Sequence, residues 1–221
     1  MKREHYKTIK KRRLRNKKLC KQYPFLIPRC EWTGKILEDY DYSFTEYNRL
    51  ENGWQIGFGK IFLQELKEAL LKTNYLNRLR IYQLKEKYGS LRCYTNSVPN
   101  EVQEVLDKFE FISQYVCDNC GSPHAIVVDC YGWYLPKCKK CWEKLNKRYE
   151  KFGCRNLKSY EEAGGNSSTT IPTEYTVTRY SKGEETTVTY DISSTVDRIN
   201  HAYERRERKK HPEKFGDRQD A

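Results

Sequence analysis

Histidine is scarce in this chain. Only His5, His124, His201 and His211 are present, so the commonest general base and the imidazole ligands of catalytic zinc are almost missing. No apolar run approaches the length that spans a bilayer, which leads to the expectation of no membrane partner. Residues 1–21 carry Lys and Arg throughout, with no apolar stretch of the kind an export signal needs. Apolar residues reach only 37% against 33% charged, so a core is expected, but not one that uses the whole chain. The segment Gly53-Trp-Gln-Ile-Gly-Phe-Gly-Lys60 fails as a phosphate loop. Five residues separate Gly53 from Gly59 where four are required, and Ile61 stands where Ser or Thr would hold magnesium. Its glycines are expected to form a turn into a helix over 60–72. The carboxylates Glu38, Asp39, Asp41 and Glu46 lack the spacing of a calcium loop. They read as a solvated acidic loop or as an internal partner for the basic residues before them.

What the chain does have is cysteine in a telling pattern. Cys117 and Cys120 form one Cys-x-x-Cys pair, Cys138 and Cys141 a second, and seventeen residues separate them. That spacing suits a four-thiolate zinc site, because each pair can turn both sulfurs toward one tetrahedral ion. Gly121 follows the first pair, where a sharp turn favours a left-handed backbone. Four protein ligands leave no open position, so a single structural Zn2+ is the expected cofactor. The odd total of nine cysteines and the absence of an export signal favour a reducing cytoplasm. Cys20, Cys30, Cys93 and Cys154 then read as ordinary thiols. Cys130 reads as a packed thiol or a spare ligand, and His124 as a loop histidine or an additional metal neighbour.

The charge is unevenly placed. Residues 1–21 hold eleven Lys or Arg against Glu4, so they carry +10 of the net +12. The remainder is a nearly neutral body. Lys10, Lys11, Arg12, Arg13, Arg15, Lys17 and Lys18 are candidate phosphate contacts on an arm that is disordered or weakly helical until it meets a polyanion. Arg205, Arg206, Arg208, Lys209 and Lys210 form a second basic patch. Tyrosines 82, 88 and 94 beside Lys85, Lys87 and Arg92 offer a stacking surface, although half-burial on a sheet is the plainer account of them.

Periodicity predicts the rest. Ile61, Phe62, Leu66, Ala69 and Leu70 stripe the helix over 60–72. Two strands joined at Tyr88-Gly89-Ser90 occupy 78–94. Asn100 with Gln103 forms a capping box for a helix that runs into Cys117. A hairpin spans 125–135 between the cysteine pairs. The Gly-, Ser- and Thr-rich stretch around 161–170 reads as a linker. Beyond it, a hairpin pairs Val177 with Val188 and Tyr175 with Tyr190, then a helix begins at a Ser194–Asp197 capping box. This last module is too small to hold a core alone and must dock on the body, a second copy or a partner.

The segments Tyr23-Pro-Phe-Leu-Ile-Pro-Arg29, Trp32-Thr-Gly-Lys35, Lys85-Glu-Lys-Tyr-Gly-Ser-Leu-Arg-Cys-Tyr94 and the two cysteine pairs resemble a family of small phage and prophage proteins with no agreed activity. The resemblance covers about Tyr23 to Glu143. It implies a four-cysteine zinc ribbon and expression in a bacterial host cytoplasm, and it excludes both termini, which are expected to carry what is particular to this chain.

The expected architecture is α+β: a basic arm over 1–22, a small mixed body over 23–116, a zinc ribbon over 117–155, a linker over 156–174, and a β-hairpin with a basic helix over 175–221. The expected function is non-catalytic, the binding of nucleic acid or of a nucleic-acid-bound machine through the basic ends. An inhibitor or adaptor that seizes a host defence protein is the alternative. A metallonuclease ranks third, because only His124 lies between the cysteine pairs to serve as base or ligand. No small-molecule substrate is expected.

Overall fold

The computed structural model describes residues 2–30, 32–153, 157–166, 168–181 and 184–214, so Cys154 and the tip of the last hairpin lie outside it. It is an α+β structure with three separate two-stranded antiparallel sheets. Helix α1 is Lys2–Gln22. Helix α2 (Asn52–Trp54) continues through a π-helical turn, Gln55–Gly59, into α3 (Lys60–Lys72). Strands β1 (Ile81–Lys87) and β2 (Ser90–Thr95) precede α4 (Asn100–Ser113). Strands β3 (Ala125–Cys130) and β4 (Trp133–Cys138) lead into α5 (Lys139–Lys151). Strands β5 (Glu174–Ser181) and β6 (Glu184–Asp191) lead into α6 (Ser193–Lys210). Among the described residues no helix is long and apolar enough to cross a membrane.

The core lies between α3 and α4. Phe58 and Phe62 both pack on Phe109, at ring separations of 5.6 and 5.1 Å, and Trp54 continues the row. Leu84 and Leu91 close it from the first hairpin, whose Leu91 N–H donates to the buried Ser113 hydroxyl at 2.7 Å. The predicted apolar stripes are all used. Leu63 and Glu65 of α3 are buried as well, because α6 lays Val196 and Ile199 over a second side of that helix.

Four local expectations need correction. The glycines of 53–59 do not make a turn; they sit inside the continuous helix, where Gly53 and Gly57 lie one turn apart on one face. Neither capping box forms. Pro99 precedes α4, Gln103 donates instead to Asp107 at 2.7 Å, and α6 is capped by the Asp191 carboxylate accepting from Ser193 N–H at 2.8 Å. The arm is a helix docked on the body. Asn16 is buried and exchanges both amide hydrogen bonds with Asn48, while Arg13 pairs with Asp41, so the acidic loop is the internal partner of the basic segment. The linker is a strap across the ribbon. Tyr160 and Ile171, its two large apolar groups, are both buried, and the Tyr160 hydroxyl donates to the His124 carbonyl at 3.1 Å.

The C-terminal module docks on the body. Val177 faces Val188 and Tyr175 faces Tyr190, as the pairing predicted. Tyr175 stacks on Phe111, and Arg179 pairs with Asp107 at 2.8 Å. Below them, buried Glu65 gathers Lys108, Arg198 (2.8 Å) and the Thr195 hydroxyl (3.0 Å). Glu65→Ala strips these cations of their shared counter-charge. Because Arg198 remains partly hydrated, a loss of about 3 kcal/mol in urea unfolding is expected, the low end for a broken buried pair.

Candidate metal centre

The four predicted cysteines converge. All four Sγ atoms lie within 4.8 Å of one another, and Cys120 and Cys138 approach to 3.6 Å. That separation is far too long for a disulfide, which needs about 2.05 Å. It suits two corners of a tetrahedron with metal–sulfur bonds of about 2.3 Å, whose edges are about 3.8 Å. The donor set therefore fits a single thiophilic ion, and Cys117, Cys120, Cys138 and Cys141 are the residues that would hold it.

Local structure explains the convergence. In the first turn, Cys117 N–H donates to Ser122 O at 2.8 Å and Gly121 N–H to Cys117 O at 2.9 Å, with Gly121 at φ 71°. The second pair straddles a strand–helix junction: Cys138 ends β4 and Cys141 lies in the first turn of α5. The positive end of that helix favours thiolate there. Hairpin β3–β4 joins the pairs through Tyr131-Gly132, both at positive φ.

The first turn is seated directly on the central helix. Gly53 N–H donates to Asp118 O at 2.7 Å, and Trp54 Nε1–H donates to Val116 O at 2.8 Å. A Cβ on Gly53 would overlap the Cys117 carbonyl, and one on Gly121 would come within 2.6 Å of Gly53 O. A Cβ on Gly57 would lie 2.7 Å from Val116. Three glycines thus permit backbone-to-backbone contact between helix and cysteine turn.

Charge in the site is held in tension. Hydrogen bonds from neighbouring thiols, Cys120 first, hold Cys117 down at about 6, and Cys141 is likewise depressed. Cys120 and Cys138 are driven above the ordinary thiol range, because their neighbours' sulfurs are already charged. A divalent cation removes that conflict by allowing all four to ionise. Asn119 Nδ2 donates to Cys141 Sγ at 3.4 Å. Burial raises Asp118 to about 6 against the opposing pull of Lys137, which pairs with it at 2.6 Å.

Not every predicted residue sits where the sequence suggested. Arg206, expected on a nucleic-acid surface, reaches back to the cysteine turn: its guanidinium donates to Gly121 O at 2.9 Å, Cys120 O at 3.4 Å and Ile56 O at 3.2 Å, and it lies over the Tyr203 ring. It ties α6 to both the π-turn and the first cysteine pair. Arg205, Arg208, Lys209 and Lys210 stay exposed, Lys210 beside Glu207. Lys10, Lys11, Arg12, Arg15, Lys17 and Lys18 are exposed on α1, whereas Arg13 is turned to Asp41. His124 lies outside the sulfur cluster, with Nδ1–H donating to Thr169 O at 2.9 Å. Cys130 is buried beside Val128, Trp142 and Tyr160 as a packed thiol. Comparison with family models, with curated proteins and with solved structures finds no match to this chain.

Two outcomes follow for the centre. Replacing Cys138 and Cys141 together by Ser abolishes metal content in elemental analysis and exposes Trp142 to fluorescence quenchers. In the unaltered protein, acid titration releases the metal as thiolates are protonated, with loss on the falling-pH side only; retention of a full equivalent at pH 4 contradicts four-thiolate ligation.

Proposed function

We propose that this protein is a non-catalytic nucleic-acid-binding protein built around one structural zinc ion. The supporting observation is α1. It is a docked helix of 21 residues that turns Asn16 and Cys20 inward and Lys10, Lys11, Arg12, Arg15, Lys17, Lys18 and Lys21 outward. Anchoring on the acidic loop fixes the row of cations in place, so phosphates can bind without ordering a flexible tail first. The zinc assignment follows from donor chemistry, since a tetrahedral all-thiolate site selects zinc or iron and zinc needs no redox partner. With four protein ligands it leaves no position for a substrate, so the ion shapes the fold rather than reacting.

The host-protein adaptor was motivated by an undersized C-terminal module. That module now finds its partner within the chain, in α3, α4 and the cysteine turn. The nucleic-acid reading is therefore preferred. Changing Lys10, Lys11, Arg12 and Arg15 together to Gln should flatten the dependence of log K on log salt for duplex DNA by about three, near 0.9 per phosphate released. An unaltered slope in filter-binding or anisotropy titrations removes α1 as the contact. Elemental analysis that finds iron, or visible thiolate-to-iron absorbance, removes zinc.

A further inference from the structure

The aromatic tips of the first two hairpins are unaccounted for by the fold. Each hairpin turns through a two-residue Tyr-Gly loop, Tyr88-Gly89 between β1 and β2 and Tyr131-Gly132 between β3 and β4. Both tyrosines sit at φ 54°, in the left-handed region. Such turns favour Asn or Asp ahead of Gly, and a ring-bearing residue there is a strained choice. Burial does not repay it. Tyr88 is 68% exposed and Tyr131 51% exposed, and next to them stand Trp133 at 72% and Tyr134 at 45%.

These rings are held together. Gly89 is packed against Val127, close enough that an added Cβ would meet that side chain at 2.6 Å, which fixes one tip on the other hairpin. Tyr88 then meets Tyr134 edge to face at 6.5 Å, and Tyr131 meets Tyr149 of α5 at 5.8 Å. Tyr131 and Tyr134 line a recess of about 400 Å³ together with Val127, Leu157 and Lys158. Cations flank the rings. Lys87 lies 5.3 Å over Tyr88, Lys85 lies 5.0 Å over Tyr94, and α5 presents Lys140, Lys144, Lys147, Arg148 and Lys151 to solvent. Preformed exposed rings between lysines are what stacks unpaired bases while neutralising their phosphates. A duplex keeps its base faces covered and cannot use them.

We infer that the tips of β1–β2 and β3–β4 form a stacking platform for a single-stranded polynucleotide. The inference rests on the nucleic-acid reading above, but it assigns a second surface that shares no residue with α1. It also makes the ribbon a presenting element, since the ion would hold β3–β4 steady beneath Tyr131, Trp133 and Tyr134.

The test uses the full metal-loaded chain. Trp54 and Trp142 are fully buried and Trp32 is 92% exposed, so a Trp32→Phe background leaves Trp133 as the exposed indole reporter. Titration with a dT oligonucleotide quenches it, and a matched blunt duplex does so far less. Trp133→Ala combined with Tyr88→Asn weakens single-strand affinity by tenfold or more, about one stacked base or better. Duplex affinity and its salt slope stay as they were. Asn suits the left-handed turn, so Tyr88→Asn alone holds or raises the melting temperature and excludes misfolding as the cause. Equal single-strand affinity with and without the rings overturns the platform while leaving α1 binding intact. So does self-association of the free protein that already hides Trp133. Failure to bind any polynucleotide overturns the parent reading itself.

Discussion

The contact between the first cysteine turn and the central helix is a backbone-to-backbone one, and most of the structure is arranged around it. Gly53, Gly57 and Gly121 leave room for no side chain there, so the carbonyls and amides of the two segments meet directly. The Trp54 indole and the Gly53 amide then hydrogen-bond across the seam. A ribbon hairpin of this size is marginal in water. Seated on the aromatic row of Trp54, Phe58 and Phe109, it becomes an extension of the main core. A metal at the four sulfurs and the glycine seam constrain the same turn from opposite sides.

Much of this was legible from the residues. The cysteine spacing located the site, and the apolar periods of α3, α4 and α6 located the core faces, because both signals are local and repeat. The register of β5–β6 was readable from its aromatic and β-branched alternation. What escaped was non-local. Glycine density at 53–59 suggested a turn, since nothing in the window announces that another backbone will press on that helix face 60 or so residues later in the chain. Tyr160 and Ile171 stand singly in polar surroundings, so no periodicity revealed that they anchor a strap. Arg206 looked like one more cation in a basic run. Its role depends on the three carbonyls it meets, and two of those come from the cysteine turn.

Charge is sorted in the same way. The chain's excess positive charge is concentrated in its first 21 residues, yet part of it is used internally. Arg13 and Asn16 bind α1 to the loop of Asp41, Tyr42 and Asn48, and the side of the helix left in solvent is the more uniformly cationic for it. Arg198 and Lys108 similarly converge on Glu65 to hold α6 down. Cations that fasten helices and cations that face water are neighbours in sequence and different in kind.

The clasp of Arg206 on Gly121 closes a loop of 85 residues. A ribosome adding about 5–20 residues per second needs roughly 4–17 seconds to cover that distance. Throughout that interval the cysteine turn is already outside the exit tunnel while its last carbonyl partners are still being made. The nascent chain therefore carries four nucleophilic sulfurs with an open flank, a window in which early capture of an ion protects against oxidation and mispairing during synthesis.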